Sequence, residues 1–405
     1  MHNKSGKHPT RKNATRRTRS SPRRQLRSLV FGLVGLVLFF AVMGPIIYSF
    51  LESRITANPP VFETHSSGKT ETAIKELDRY IYDTLLTLKI PAQNITFDSV
   101  RKKGGVVDQW TYSELKIHTP KPIPQKKIKR VFAEHLKKFK PKPLFRFRWE
   151  SNKRNTVDIS INGNLTHRLI FAPPQKKKDF TPKTADFPLV AIIIDDVGYD
   201  EEMALRFLQL DASLSFSILP HSPFQKSIGN RIHQKNRDVI LHLPMEPVGY
   251  PEVNPGKGAL LSSMSANELL QKLKDDLDAV PFISGVNNHM GSKLTQDSVR
   301  MRQIFSILKK RGLFFVDSLT TPKSSCSRVA ELFKLRFAER QVFLDNVQEA
   351  NAIHFQIMRL ISIAKERGKA IGIGHPYTIT LETLKRELPN IKSQVKIVPV
   401  SRLVG

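Results

Sequence analysis

Cysteine is almost missing from this chain: Cys326 is the only one among 405 residues, so no intrachain disulfide can form and the thiol content gives no reading of the redox compartment. Acidic residues are missing altogether from the first 28 positions, which hold ten Lys or Arg. The segment RKNATRRTRSSPRRQLR also has almost no apolar content, which excludes a packed core and predicts a disordered basic cytoplasmic tail over residues 1–28. Charge of either sign is missing from Leu29 to Phe50, 22 residues that at 1.5 Å per residue span a hydrocarbon core of about 30 Å. No small-x-small cleavage site follows Phe50, and the run exceeds the roughly 7–15 apolar residues of a secretory signal, so an uncleaved transmembrane helix is expected over 29–50. Basic residues crowd its N-terminal side, whereas Arg54 stands alone just beyond it. The positive-inside rule then makes this a single-pass protein of the cytoplasmic membrane, with everything after residue 50 periplasmic or otherwise extracytoplasmic.

A net charge of +29 suggests nucleic acid until the charge is located. Residues 51–185 hold 27 basic against 13 acidic side chains, and the remainder holds 28 against 23. The excess therefore lies outside the C-terminal region that carries the candidate chemistry. Nucleic acid is not the expected partner. Anionic lipid headgroups beside the tail are, each basic residue contributing about 1 kcal/mol.

A polar linker over 51–66 leads to TETAIKELDRYIYDTLLTL, whose Ile74, Leu77, Ile81, Leu85 and Leu88 recur with the 3.6-residue period of an amphipathic helix. ITFDSV and WTYSELKIH alternate as strands, KKIKRVFAEHLKKF reads as a second helix, and TVDISINGNLTHRLIFA reads as a β-hairpin turning at Asn162-Gly163. These elements give a small α+β domain over residues 67–173. Its many lysines fit a docking or spacer module facing an acidic partner and a merely solvated basic face equally well. Residues 174–186, rich in Pro, Lys and Thr, read as a linker.

From residue 187 to 405, strands and helices alternate. The runs VAIIIDD, LSFSILPH, VILHLP, ISGVNNH, LFFVDS, VFLDN and IGIGHP climb through apolar residues and end on Asp195 and Asp196, His221, His242, Asn288 and His289, Asp317, Asp345, and His375. Apolar runs separated by helical stretches are strands buried on both faces of a parallel sheet. Parallel strands put their C-terminal ends on one side, so seven polar tips converge on the mouth of a distorted seven- or eight-stranded β/α barrel, VKIVPVS supplying the eighth, edge strand. The alternative is that these side chains cap the helices that follow. His is a poor cap, and four strand-end His beside a paired Asp-Asp exceed what capping preference explains.

In the order IIIDDVG, LHLPMEP, NNHMGS, VDS and GHP, these tips resemble the motifs of metal-dependent polysaccharide deacetylases, and most closely the branch of divergent polysaccharide deacetylases, over about residues 187–402. The resemblance implies a distorted β/α barrel, Asp195 as catalytic base, Asp196 as metal ligand and His375 as general acid. The second motif ordinarily carries two His ligands; here the matching positions are His242 and Glu246. His289 would supply the missing nitrogen, and two His with one Asp leave open positions on a catalytic zinc. Glu246 would be a further ligand or orient the site from behind it. Asp317 and Asp345 would hold substrate hydroxyls or orient His375 or Lys293. The function so implied is a membrane-anchored hydrolase that removes acetyl groups from a cell-envelope glycan. The competing class is a non-catalytic glycan-binding or scaffold module on the same fold, which the absent second His favours and the retained Asp195, Asp196, His242 and His375 oppose.

Overall fold

The computed structural model describes residue 43 and residues 69–90, 94–104, 110–119, 123–148, 155–172 and 187–405. The basic tail, the linkers and all but Met43 of the stretch Leu29–Phe50 lie outside these residues. Among the described residues no helix is long and apolar enough to cross a membrane.

The small N-terminal layer begins with helix α1 (Lys69–Thr87), whose predicted stripe is buried at Ile74, Leu77, Ile81 and Leu85, with Leu88 buried one residue past the helix end. Strands β1 (Ile95–Lys103) and β2 (Trp110–His118), helix α2 (Gln125–His135), and strands β3 (Leu144–Arg148), β4 (Asn155–Ile161) and β5 (Asn164–Ala172) complete it in the order β1-β2-β5-β4-β3. Asn162 and Gly163 connect β4 to β5 with φ of 50° and 82°, the paired left-handed geometry that a two-residue hairpin requires. Only β3 escapes the sequence reading. LFRFR sits at the sheet edge with Leu144 exposed, so no buried face marks it as a strand.

The second layer runs β6 (Leu189–Val197), α3 (Glu201–Leu208), β7 (Ser215–Ile218), α4 (Gln225–Gln234), β8 (Val239–Met245), α5 (Ala266–Ala279), β9 (Ile283–Met290), α6 (Ser298–Lys310), β10 (Phe314–Asp317), α7 (Cys326–Phe333), β11 (Phe337–Glu339), β12 (Val342–Phe343), α8 (Ala350–Arg367), β13 (Lys369–Gly374), α9 (Thr378–Lys392) and β14 (Lys396–Ile397). The strands are all parallel, in the order β11-β10-β9-β8-β7-β6-β13-β12, with β14 on β6. Successive strand residues serve two cores: Val190, Ile192 and Ile194 pack outward against the helices, and Ala191 and Ile193 pack inward. Phe314 and Val316 near one end of the order share that inner cluster with Phe343, Ile371 and Ile373 near the other, so the sheet is curled around its own interior.

The distortion of the expected seven- or eight-stranded barrel is located at one seam. Phe337 to Phe343 is a single extended stretch that pairs with β10 in its first half and with β13 in its second, changing partners at Arg340 and Gln341. Two strands joined by two residues cannot pair with each other in parallel, because a parallel neighbour needs a crossover of a dozen residues or more. The ladder is therefore interrupted there. β11, three half-buried residues, and α4, whose buried face is only Ile228, Gly229 and Ile232, are the elements that hydrophobic periodicity does not reveal.

Packing inside the sheet is tight enough to forbid single methyl groups. Gly285 on β9 lies beside Phe314 on β10, and a Cβ at position 285 would fall 2.2 Å from that ring. Gly285→Ala is expected to cost about 1–3 kcal/mol by overpacking, read as a lowered denaturation midpoint; an unchanged midpoint would show that the ring can move aside.

The described residues of the two layers belong to one compact unit. Helix α8 is the shared element. Phe355 meets Phe97 edge-to-face at 4.8 Å and Tyr82 at 5.8 Å. Buried Asp78 on α1 contacts His167 Nε2 at 2.7 Å and accepts from Arg359 Nη1 at 3.0 Å.

Candidate active site

The capping alternative is settled by where the caps are. Asp200 accepts from Met203 N at the start of α3, Ser265 forms a capping box with Glu268 on α5, and Asp297 accepts from Val299 N and Arg300 N on α6. Each lies beyond the strand tips. The tips themselves bond mainly to one another and to neighbouring loops.

Asp195 and Asp196 both reach the mouth because the backbone departs from the alternation of a regular strand. Asp196 has a left-handed φ of 55°, the β6–β7 register shifts between Ile194 and Val197, and Gly198 turns with φ 141°. A side chain at 198 would overlap Ser222, so the turn is restricted to glycine by space as well as by φ. Strain of this kind at a non-glycine residue is characteristic of functional sites.

Three side-chain atoms converge from residues within β6, β8 and β9; His242 sits at the middle of β8, which runs on to Met245 and does not end on it. Asp196 Oδ1 lies 3.1 Å from His242 Nε2 and 2.9 Å from His289 Nδ1, and the two ring nitrogens are 3.1 Å apart. Despite these distances the Oδ1 atom has no hydrogen-bond partner, because neither ring directs an N–H at it. His242 Nδ1 is engaged elsewhere, donating to Asn287 Oδ1 at 2.8 Å, which leaves the Nε2 lone pair toward the cluster, where His289 Nδ1 lies 3.1 Å away. An orphaned carboxylate oxygen beside two ring nitrogens, on the set Asp196, His242 and His289, is the donor chemistry of a divalent-cation site. Burial alone would push Asp196 up, but His289 and His242 outweigh it and hold Asp196 well below the ordinary carboxylate range. His242 is pushed the other way: burial disfavours its charged form, yet Asp195 and Asp196 raise it to about 8. Both shifts say that this cluster favours positive charge, whether carried by protons or by a cation.

Asp195 faces the cluster with Oδ2 3.7 Å from His242 Nε2. Burial is the main cause that raises its carboxyl above the usual range, which moves it toward the pKa of an effective general base. His375, at the end of β13, donates Nδ1–H to Asp345 Oδ1 at 2.8 Å. Asp345 Oδ2 accepts from His375 N at 2.6 Å and Thr380 Oγ1 at 2.8 Å. Burial lowers the pKa of His375, but Asp345 outweighs it and the net direction is up.

Asn287 is the residue that sequence reading passes over. Its Nδ2 donates to both Asp195 oxygens, at 2.9 and 3.0 Å, while its Oδ1 accepts from His242 and from Ser217 Oγ. One fully buried amide thus fixes the tautomer of His242 and the orientation of Asp195. Its signal was its spacing, two positions before His289 on the same face of β9. Asn287→Leu removes the buried amide that both groups bond to and is expected to cost about 1–3 kcal/mol by denaturant unfolding. A loss below about 0.5 kcal/mol, the scatter of neutral surface substitutions, would reject the role.

The remaining predicted residues lie outside the cluster. Glu246 accepts from Lys293 Nζ at 2.6 Å and Ser262 N at 2.5 Å, which ties down the loop after β8 and keeps it out of the three-atom cluster. Lys293 is thereby held by Glu246 and not by Asp317 or Asp345. Asp317 is fully buried and braces the loop after β10, accepting from Leu319 N at 2.8 Å and Ser324 Oγ at 2.6 Å. His221 turns away through a φ of 59° and contacts Asp276 Oδ1 at 2.8 Å.

Residues 192–404 match the family of divergent polysaccharide deacetylases. YibQ of Escherichia coli strain K12 is 32% identical over 216 residues, covering 53% of this chain and 67% of YibQ. A protein of Haemophilus influenzae strain KW20 is 31% identical over 214 residues, covering 53% of this chain and 76% of that protein. Among solved structures, an uncharacterized protein of Agrobacterium tumefaciens C58 superposes with a TM-score of 0.52 at 22% identity, over 55% of this chain and 92% of that one, which establishes a shared fold.

Proposed function

Because this chain belongs to the divergent polysaccharide deacetylase family, we propose that it is a metal-dependent carbohydrate deacetylase, anchored in the cytoplasmic membrane and acting on an acetylated glycan of the cell envelope. The observation that carries the reading is the convergence of Asp196, His242 and His289 beside a buried Asp195 and an Asp345-held His375. Asp196, His242 and His289 would hold the cation, most simply zinc given two imidazoles and one carboxylate. When bound, such an ion polarises an acetyl carbonyl and lowers the pKa of water toward about 7.

The chain's own residues supply the proton chemistry. Asp195 takes a proton from the attacking water while the water oxygen bonds to the acetyl carbon. Asn287 keeps the Asp195 carboxylate aimed as that proton moves. His375, with Nδ1 committed to Asp345, gives the proton on Nε2 to the departing sugar nitrogen or oxygen as the bond from acetyl carbon breaks. Acetate and a free amine or hydroxyl result. The test is acetate release by the full-length protein from a panel of chitin-like, peptidoglycan-like and O-acetylated fragments. Binding of a fragment without acetate release from any of them would replace the enzyme by a glycan-binding module.

The anchor rests on the uncharged run Leu29–Phe50 and the basic residues before it. Protease added to cells with a permeabilised outer layer is expected to degrade the C-terminal domain. Complete protection would place that domain in the cytoplasm instead.

A further inference from the structure

The seam where the ladder changes partners opens into a cleft of ≈ 390 Å³ between the two layers, within the range of small-molecule sites. Its sheet-side wall is the stretch around Arg340 and Phe343, with the Arg340 guanidinium 3.6 Å over the Phe343 ring. That ring lies 6.0 Å from the ring of His375. Arg359 of α8 closes one side, and exposed Arg101 of β1 and Arg367 of α8 stand at the rim. Two carboxylates also line it. Asp78 is held by His167 and Arg359, while burial pushes Glu339 upward toward its neutral form. Arg79 also lines the cleft but is paired with Glu349 at 3.0 Å, so four guanidinium groups, Arg101, Arg340, Arg359 and Arg367, against these two acids leave the cleft positive. Arg359 is buried, and its Nε has no hydrogen-bond partner even though Nη1 serves Asp78. Buried donors of this kind are ordinarily satisfied, so Arg359, a lining residue of the cleft, keeps donor capacity that Asp78 does not use.

We propose that this cleft binds an acidic sugar, its carboxylate or phosphate oxygens accepting from Arg359, Arg101 and Arg367 and its ring lying against the accessible apolar lining at Leu319, Pro322 and Val347. Guanidinium forks match carboxylate and phosphate geometry, and the apolar wall suits a ring of sugar size. The small layer then has a purpose beyond spacing: α1 and β1 complete the walls of the cleft. The cleft is a separate site from the cluster of Asp196, His242 and His289, and the deacetylase reading is not needed for it.

The experiment is calorimetric titration of the full-length protein with glucuronate, with glucose as the neutral counterpart, and with inorganic phosphate. Glucuronate is expected to bind, glucose is not, and the Arg101→Ala/Arg367→Ala double variant is expected to bind at least about tenfold more weakly, the effect of losing charge-assisted contacts. Phosphate binding with the same dependence on Arg101 and Arg367, in place of glucuronate binding, identifies the anion as a phosphoryl group and supports the site. His242→Ala is expected to bind the anion as the wild type does. The proposal is overturned if neither anion binds, if the double variant binds as tightly as the wild type, or if His242→Ala abolishes binding and so locates the anion at the metal-type cluster.

Discussion

Asp195→Asn and His375→Ala are each expected to reduce acetate release from an accepted glycan by about 10²-fold or more, the scale of a lost general base or acid. Neither residue belongs to the converging set Asp196, His242 and His289, so both variants should retain metal and fold. The prediction has a built-in control. Asn at 195 keeps the size of the carboxylate but cannot take a proton, so loss of rate with unchanged metal content separates proton transfer from site assembly. If both variants release acetate at the wild-type rate, Asp195 and His375 have no part in the chemistry. Asp345→Asn adds a graded test, because its effect should be expressed through His375 and vanish in the His375→Ala background.

The second large effect concerns the metal. His242→Ala and His289→Ala are each expected to lose bound cation on dialysis, by more than the roughly 10–100-fold that removal of a supporting partner costs a metal site. Elemental analysis of the full-length protein reads it. Glu246→Gln should keep its metal, since Glu246 is committed to Lys293 and Ser262. Wild-type metal content in both His variants would reject the assignment, and loss of metal in Glu246→Gln with retention in His289→Ala would make Glu246 the third ligand.

Much of this is legible in the amino-acid sequence. Long apolar runs ending on Asp, Asn and His dictated parallel strands with their polar ends on one side, because a strand buried on both faces tolerates polarity only at its tips. The stripe on α1 and the Asn162-Gly163 turn were equally local, set by helix period and by backbone freedom. Which tips meet was a different matter. His221 closes an apolar run as His242 does, yet His242 lies within β8 while His221 lies past the end of β7, where its left-handed φ turns it to Asp276. Adjacent Asp195 and Asp196 should point apart, and a bulge with a strained φ brings both to the mouth. Asn287 and Asn288 are indistinguishable by type, but pleat direction puts the first between Asp195 and His242 and sends the second to Met290 O and Ser318 N. The seam at Arg340 and the clasp of Asp78 on Arg359 depend on residues hundreds of positions apart or on strands too short to carry a pattern. Period and propensity act over a few residues, and so the chain's local patterns dictate the elements and the kinds of groups at their ends. Which of those groups share a site follows from strand order, bulges and loop direction, which no local pattern encodes.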